Sequence, residues 1–254
     1  MLRLIKVELN KIKYTYLISV IIGVIYGLLS VNFVLSGYHY NYNIEIWVQS
    51  GETFSLLYPL FATLPICWLM FYERKDSFII YSLLRTSKKK YLLTKWLITS
   101  FGGGLIVFLV SITSLFFSLF IVPEKLPTVN DYALKNFAGH YFVNFPLQYG
   151  LVLSLWKGII GFLIATFGFV LSLIVNNLLV ILTGPFIYAI LENFTLSILN
   201  VPYFRLVTSF DLNTLTASAI SVDRLIVGPL ILCLLIMFLI LVMVIPKNET
   251  VFKT

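Results

Sequence analysis

The chain has 254 residues, of which 59% are hydrophobic and 11% charged, and its mean hydropathy is +0.97. Soluble domains are roughly 45–50% apolar and about 25% charged, so a water-soluble globule is excluded. Disorder is excluded too, because ample apolar surface is available for burial. What is left is an all-α polytopic membrane protein, read as one transmembrane domain over residues 1–254. Cys67 and Cys233 both sit in apolar runs and build no disulfide framework.

The first element is Met1–Tyr14. On a helical wheel Leu2, Ile5, Leu9 and Ile12 share one face, and Arg3, Lys6, Asn10 and Lys13 fall elsewhere. This predicts an amphipathic interfacial helix whose basic side is drawn to anionic lipid headgroups. A plain anchor at the start of the protein accounts for the same pattern. Six runs follow that reach the roughly 20 apolar residues needed to cross a core about 30 Å thick. They are Leu17–Leu35, Thr53–Phe71, Trp96–Val122, Ser154–Val175, Leu178–Leu199 and Leu225–Ile245. None shows the alternation of a membrane barrel. Val34-Leu35-Ser36-Gly37 has the small residues of a signal-peptidase site. The run before it is longer than a signal core of about 7–15 residues, so it is read as a span. The third run, at 27 residues, either tilts or breaks at Gly102-Gly103-Gly104. Asn176-Asn177 makes a tight turn between the fourth and fifth spans, and Pro185 kinks the fifth.

With six spans both ends share one side. That side carries 13 Lys and Arg residues against 5 on the other. Basic residues stay in the cytoplasm, so both termini are expected there. The net charge of +7 is then a topology signal and not a nucleic-acid surface.

The loop after the second span reads Glu73-Arg74-Lys75-Asp76, then the apolar stretch Phe78-Ile79-Ile80-Tyr81-Ser82-Leu83-Leu84, then Arg85-Thr86-Ser87-Lys88-Lys89-Lys90. A loop that only stays in water has no use for seven mostly apolar residues. A short helix with charged ends fits better, and such a helix can enter a groove on a partner. A basic run that merely enforces orientation is the simpler alternative. This loop resembles the one after the second helix in permeases of type-2 ABC exporters. That pattern has an acidic-basic pair, a short coupling helix, a Ser-Lys step and a lysine opening the third helix. The matching residues are Glu73-Arg74, Ser77 to Leu84, Ser87-Lys88 and Lys95. The loop departs from it at Ser77, where glycine is common, and at Thr86, where proline often precedes the serine. Its small size and the step from Arg85 to Tyr91 are most similar to permeases of bacterial peptide exporters and lantibiotic-immunity systems.

The resemblance implies a multi-pass subunit of the bacterial cell membrane, paired with a second copy of itself or a homologous permease. It implies a partner nucleotide-binding ATPase, contacted through Glu73, Arg74, Phe78, Ile80, Leu84, Ser87 and Lys88. It also implies an amphipathic or hydrophobic peptide or toxin as cargo. There is no G-x-x-x-x-G-K-[ST], H-E-x-x-H or G-x-S-x-G in the chain. No enzyme activity and no cofactor are therefore expected here, and ATP and Mg belong to the partner. His39 and His140 stand 101 positions apart and suit no shared metal. An ATP-independent secondary transporter or an assembly subunit is the alternative, although such transporters usually show paired repeats with broken helices.

A charge inside a span costs roughly 2.5–3.5 kcal/mol, which singles out Lys157 and Glu192. Lys157 lies 19 residues before Asn176 and Glu192 lies 16 after it. Their depths differ by about 4–5 Å. Two arrangements fit: an ion pair in the outer half of the bilayer, or Lys157 snorkelling outward while Glu192 faces water. The outer loops carry Tyr132, Phe137, Tyr141, Phe142, Phe145, Tyr149, Tyr203, Phe204 and Phe210, as interfacial anchors would. In the resembled family the segment between the last two helices dips into the outer leaflet, which here is Val201–Ser221.

Overall fold

A computed structural model describes residues 2–76, 78–84, 86–123, 136–211 and 221–244, apart from the side chains of Leu2, Arg3, Ile80, Met243 and Val244. Ser77, Arg85, Lys125, Tyr132, Lys135, Lys247 and Lys253 lie outside the described residues. Among the described residues every regular element is helical. The helices are α1 (Leu2–Gly37), α2 (Asn43–Thr63), α3 (Trp68–Lys75), α4 (Phe78–Leu83), α5 (Lys88–Phe120), α6 (Gly139–Asn144), α7 (Pro146–Ile174), α8 (Leu178–Ile198), α9 (Leu206–Phe210) and α10 (Val222–Leu239). A single π turn, Ile240–Val244, extends α10. Six segments are long and apolar enough to cross a membrane: Leu4–Gly37, Asn43–Lys75, Lys88–Phe120, Pro146–Ile174, Leu178–Ile198 and Val222–Val242. The chain is thus a helical, multi-pass membrane protein.

Three spans form the interior and three surround it. The apolar windows of the second, third and fourth are 56, 50 and 67% buried; those of the first, fifth and sixth are 22, 22 and 28% buried. The outer face of α1 shows why. Ile18, Ile22, Ile25, Leu29 and Phe33 are exposed at helical spacing, which suits lipid and not water. The spans themselves have no hydrophobic drive to associate in lipid. They rely on close packing and on hydrogen bonds between helices. Gly103 gives α5 that close packing. A Cβ there would stand 2.5 Å from Ala165 Cβ of α7 and 2.6 Å from the Ala62 carbonyl of α2. Ser100 with Thr166, at 2.8 Å, and Ser111 with Ser154, at 2.9 Å, add hydroxyl contacts between α5 and α7.

The structure corrects the bounds of the second span and decides the course of the first and third. The segment expected as an interfacial amphipathic helix runs without a break into the first span, α1 being one helix of 36 residues. Glu8 and Ile12 of this stretch are buried against the neighbouring bundle, while Lys6, Leu9, Asn10 and Lys13 stay exposed. The third run does not break: α5 passes through Gly102-Gly103-Gly104, whose low propensity is overridden by packing on both sides. The second span begins ten residues before Thr53 and is itself interrupted. Pro65 supplies no N–H to the ladder, and turns at Leu64–Cys67 divide α2 from α3. The turn at Asn176-Asn177 is present, and the Asn177 side chain accepts the Leu179 N–H at 3.0 Å to cap α8.

Parallel α1 and α5 keep a constant register, so that residues about 87 apart are level: Glu8 with Lys95, Gly23 with Val110, Gly27 with Ser114. At 1.5 Å per residue α1 is about 54 Å long, against a hydrocarbon core of about 30 Å. Both helices therefore run past the core together at the end that carries Lys6, Lys88, Lys89 and Lys90.

Candidate functional site

At that end the chain gathers buried charges from three elements. Lys95 of α5 donates to Glu8 of α1, and to Glu73 of α3 at 2.6 Å. Lys11 of α1 donates to the same two carboxylates, at 2.9 Å to Glu8 and 2.8 Å to Glu73. The Tyr91 hydroxyl donates to Glu73 as well. Glu8, Glu73, Tyr91 and Lys95 are all buried, while Lys11 keeps contact with the exterior. Two carboxylates face two ammonium groups, so the cluster is formally neutral. Each oxygen and nitrogen finds a partner, which is the condition for burying charge at all.

Of the residues assigned to ATPase coupling, two turn inward. Glu73 is the acid shared by both lysines. Arg74 reaches the α7–α8 turn, donating to the Ser172 carbonyl and to the Asn176 side chain. It thereby satisfies a carbonyl left open at the end of α7. Within the stretch Ser77–Leu84 expected as a short helix, Phe78–Leu83 is helical, as α4. Its Ile79 is buried among Met70, Tyr91 and Phe169, while Phe78, Tyr81 and Leu84 are 45, 67 and 80% exposed. Lys11 Nζ lies 4.8 Å from the centre of the Phe78 ring, tying α4 to the ion cluster. The Ile80 side chain is outside the described residues. Ser87 is the N-cap of α5, without a side-chain capping bond, and Lys88 is the first residue of that helix.

The structure does not bring Lys157 to Glu192. Both Glu192 oxygens accept the Leu206 N–H, at 3.0 Å each, so this carboxylate holds the start of α9. Lys157 points to another side. Its Nζ lies 4.5 Å from the Trp47 ring and 5.2 Å from the Phe210 ring, and the nearby carboxylate is Asp211. Lys157 Nζ and Asp211 Oδ2 come within 3.0 and 3.2 Å of the point where a Gly51 Cβ would stand. Lys157 is buried, so the snorkelling arrangement does not hold either.

The approach of Asp211 to Lys157 was unforeseen because Asp211 sits in a loop between spans. The first part of that loop folds back into the bundle as a 3-10 turn at Pro202–Phe204 followed by α9, and residues 212–220 lie outside the described residues. Arg205 is held by Asn193 at 3.0 Å, and Trp156 Nε1 donates to the Ser209 carbonyl at 3.0 Å. Phe210 stacks on Tyr58 with ring centres 4.2 Å apart. Tyr58 is fifteen residues into α2, about 22 Å along its axis. Phe142 and Tyr149 likewise are core residues, packed with Trp47, and not interfacial anchors.

A double-mutant cycle checks the revised partner. Lys157→Met alone removes a positive charge beside Asp211 and lowers folded yield; adding Asp211→Asn recovers part of the loss. Adding Glu192→Gln instead gives losses that simply sum. Recovery by Glu192→Gln would restore the discarded pair.

Among the described residues no three His, Cys, Asp or Glu side chains come together. Comparison with models of known protein families, with curated proteins and with solved structures finds no match to this chain.

Proposed function

We propose that this chain is the membrane-spanning permease subunit of an ATP-driven exporter, seated in a bacterial cell membrane with both termini in the cytoplasm. The observation that carries the reading is α4. With the residue that follows it, α4 presents Phe78, Tyr81 and Leu84 outward, and its root is fastened to α1 and α5 through Glu73, Lys11, Lys95 and Phe78. A partner that seizes Phe78, Tyr81 and Leu84 pulls on three spans at once. The Arg74 contact at the α7–α8 turn adds a fourth and a fifth. The partner suited to this is a nucleotide-binding ATPase subunit, which would hold the ATP and Mg. Two permease copies would enclose the pathway, and the cargo would be an amphipathic or hydrophobic peptide or toxin. The 13 to 5 distribution of basic residues supports the orientation.

The test is co-purification with a candidate nucleotide-binding subunit encoded by a neighbouring gene. Phe78→Asp, Tyr81→Asp and Leu84→Asp together should weaken association at least tenfold, because each buried anchor is worth about 2 kcal/mol. The permease alone should remain folded, since these side chains are exposed. Unchanged association, or transport without any ATPase, would remove the exporter reading in favour of an ATP-independent transporter.

A further inference from the structure

An apolar groove of about 1000 Å³ lies between α1 and α5, open to the outside of the bundle. Its walls include Leu9, Leu17 and Ile21 of α1 and Phe101, Leu105 and Leu109 of α5. Apolar side chains dominate it, but not along its whole edge. Asn10 and Lys13 line the half nearer the N-terminus. Lys6, four residues before Asn10, stands on the same face. Of the three lysines on this part of α1, Lys11 is engaged by Glu8 and Glu73. Lys6 and Lys13 are exposed, and neither forms an ion pair among the described residues.

The groove therefore has a positive, hydrogen-bonding mouth and a largely apolar depth, with the Tyr16 ring in its wall. From Lys13 to Ile21 the helix advances about 12 Å, close to half of a hydrocarbon core about 30 Å thick. We propose that this groove binds an anionic phospholipid of the leaflet on the N-terminal side. Lys6, Asn10 and Lys13 would face its headgroup, and the channel toward Ile21 and Leu109 would take an acyl chain. Charge decides against the other occupants. A cationic peptide would be repelled at the mouth. A second copy of this chain, laid helix against helix, would bring its own lysines to the same place. The proposal stands whether or not the chain is a permease.

The probe is the lipid carried by protein purified from membranes containing both phosphatidylglycerol and phosphatidylethanolamine, read by native mass spectrometry. The wild-type chain should carry phosphatidylglycerol at ten times its bulk proportion or more, given about fivefold per basic residue near a lipid headgroup. Lys6→Gln with Lys13→Gln should return the ratio to that of the bulk membrane. Lys6→Arg with Lys13→Arg should keep it. Leu105→Trp, which fills the groove and leaves the charges in place, should lose the bound lipid. A wild-type ratio equal to bulk overturns the proposal without any variant. So does removal of the enrichment by inorganic phosphate alone, which would show a headgroup site with no acyl chain. Disulfide-linked dimers from a cysteine at Leu105 would show that a second copy fills the groove.

Discussion

Replacing Lys95 by methionine should cost about 3–5 kcal/mol, the loss seen when one member of a buried ion pair is removed and the other stays. Glu8 and Glu73 would then share Lys11 alone, with one negative charge uncompensated in a place where neither acid is exposed. The readout is the yield of monodisperse protein in mild detergent and its thermal midpoint. The effect should be partly reversed by Glu8→Gln in the same chain. That substitution restores neutrality, and Glu73 keeps Lys11 and Tyr91 as partners. Glu73→Gln should rescue less, because it also weakens the link from α3 to α1. A Lys95→Met chain as stable as the wild type would mean that the cluster holds nothing together.

The second large effect belongs to Gly103. Valine there drives a Cβ toward the Ala165 methyl on one side and the Ala62 carbonyl on the other. Overpacking of a filled interior typically costs 1–3 kcal/mol, and about the top of that range applies here because one of the two obstacles is backbone. Ala165→Gly relieves only the α7 side, so the double variant should recover less than half of the loss. Gly37→Ala is the internal control. No atom lies within 4 Å of its added Cβ, so it should be neutral or stabilise by about 0.4–1 kcal/mol. Equal thermal midpoints for Gly103→Val and Gly37→Ala would show that the helices have room to part.

The number of spans was legible because runs of about 20 apolar residues have no other use in a chain this poor in charge. The start of the second span was not, since Asn43–Glu52 is too polar to stand out. It is helical because Ile44, Ile46 and Trp47 are buried there. The glycine triplet left tilt and break both open for a related reason. Propensity describes a helix alone, and here two neighbouring helices set the value of having no side chain. The separation in depth between Lys157 and Glu192 was reasonable arithmetic, but depth does not fix which neighbour a side chain faces. With α9 folded inward, Asp211 became available to Lys157 and a backbone amide to Glu192. Glu8 had left a signal that went unused, as the lone carboxylate in the first 44 residues. An acid placed among lysines at the start of such a chain points to a partner farther along.

The spacing of the ion cluster along the chain also orders its synthesis. Glu8 and Lys11 leave the ribosome first, Glu73 some sixty residues later, and Lys95 another 22 after that. Until Lys95 emerges, two acids share one lysine, and the first two spans hold an excess negative charge where they should close on each other. The hairpin they would form is therefore not a finished unit. The third span completes it electrically, and the same span brings the glycine surface on which the fourth must settle. In chain order, α5 is the element that both neutralises the cluster and presents the surface on which α7 packs.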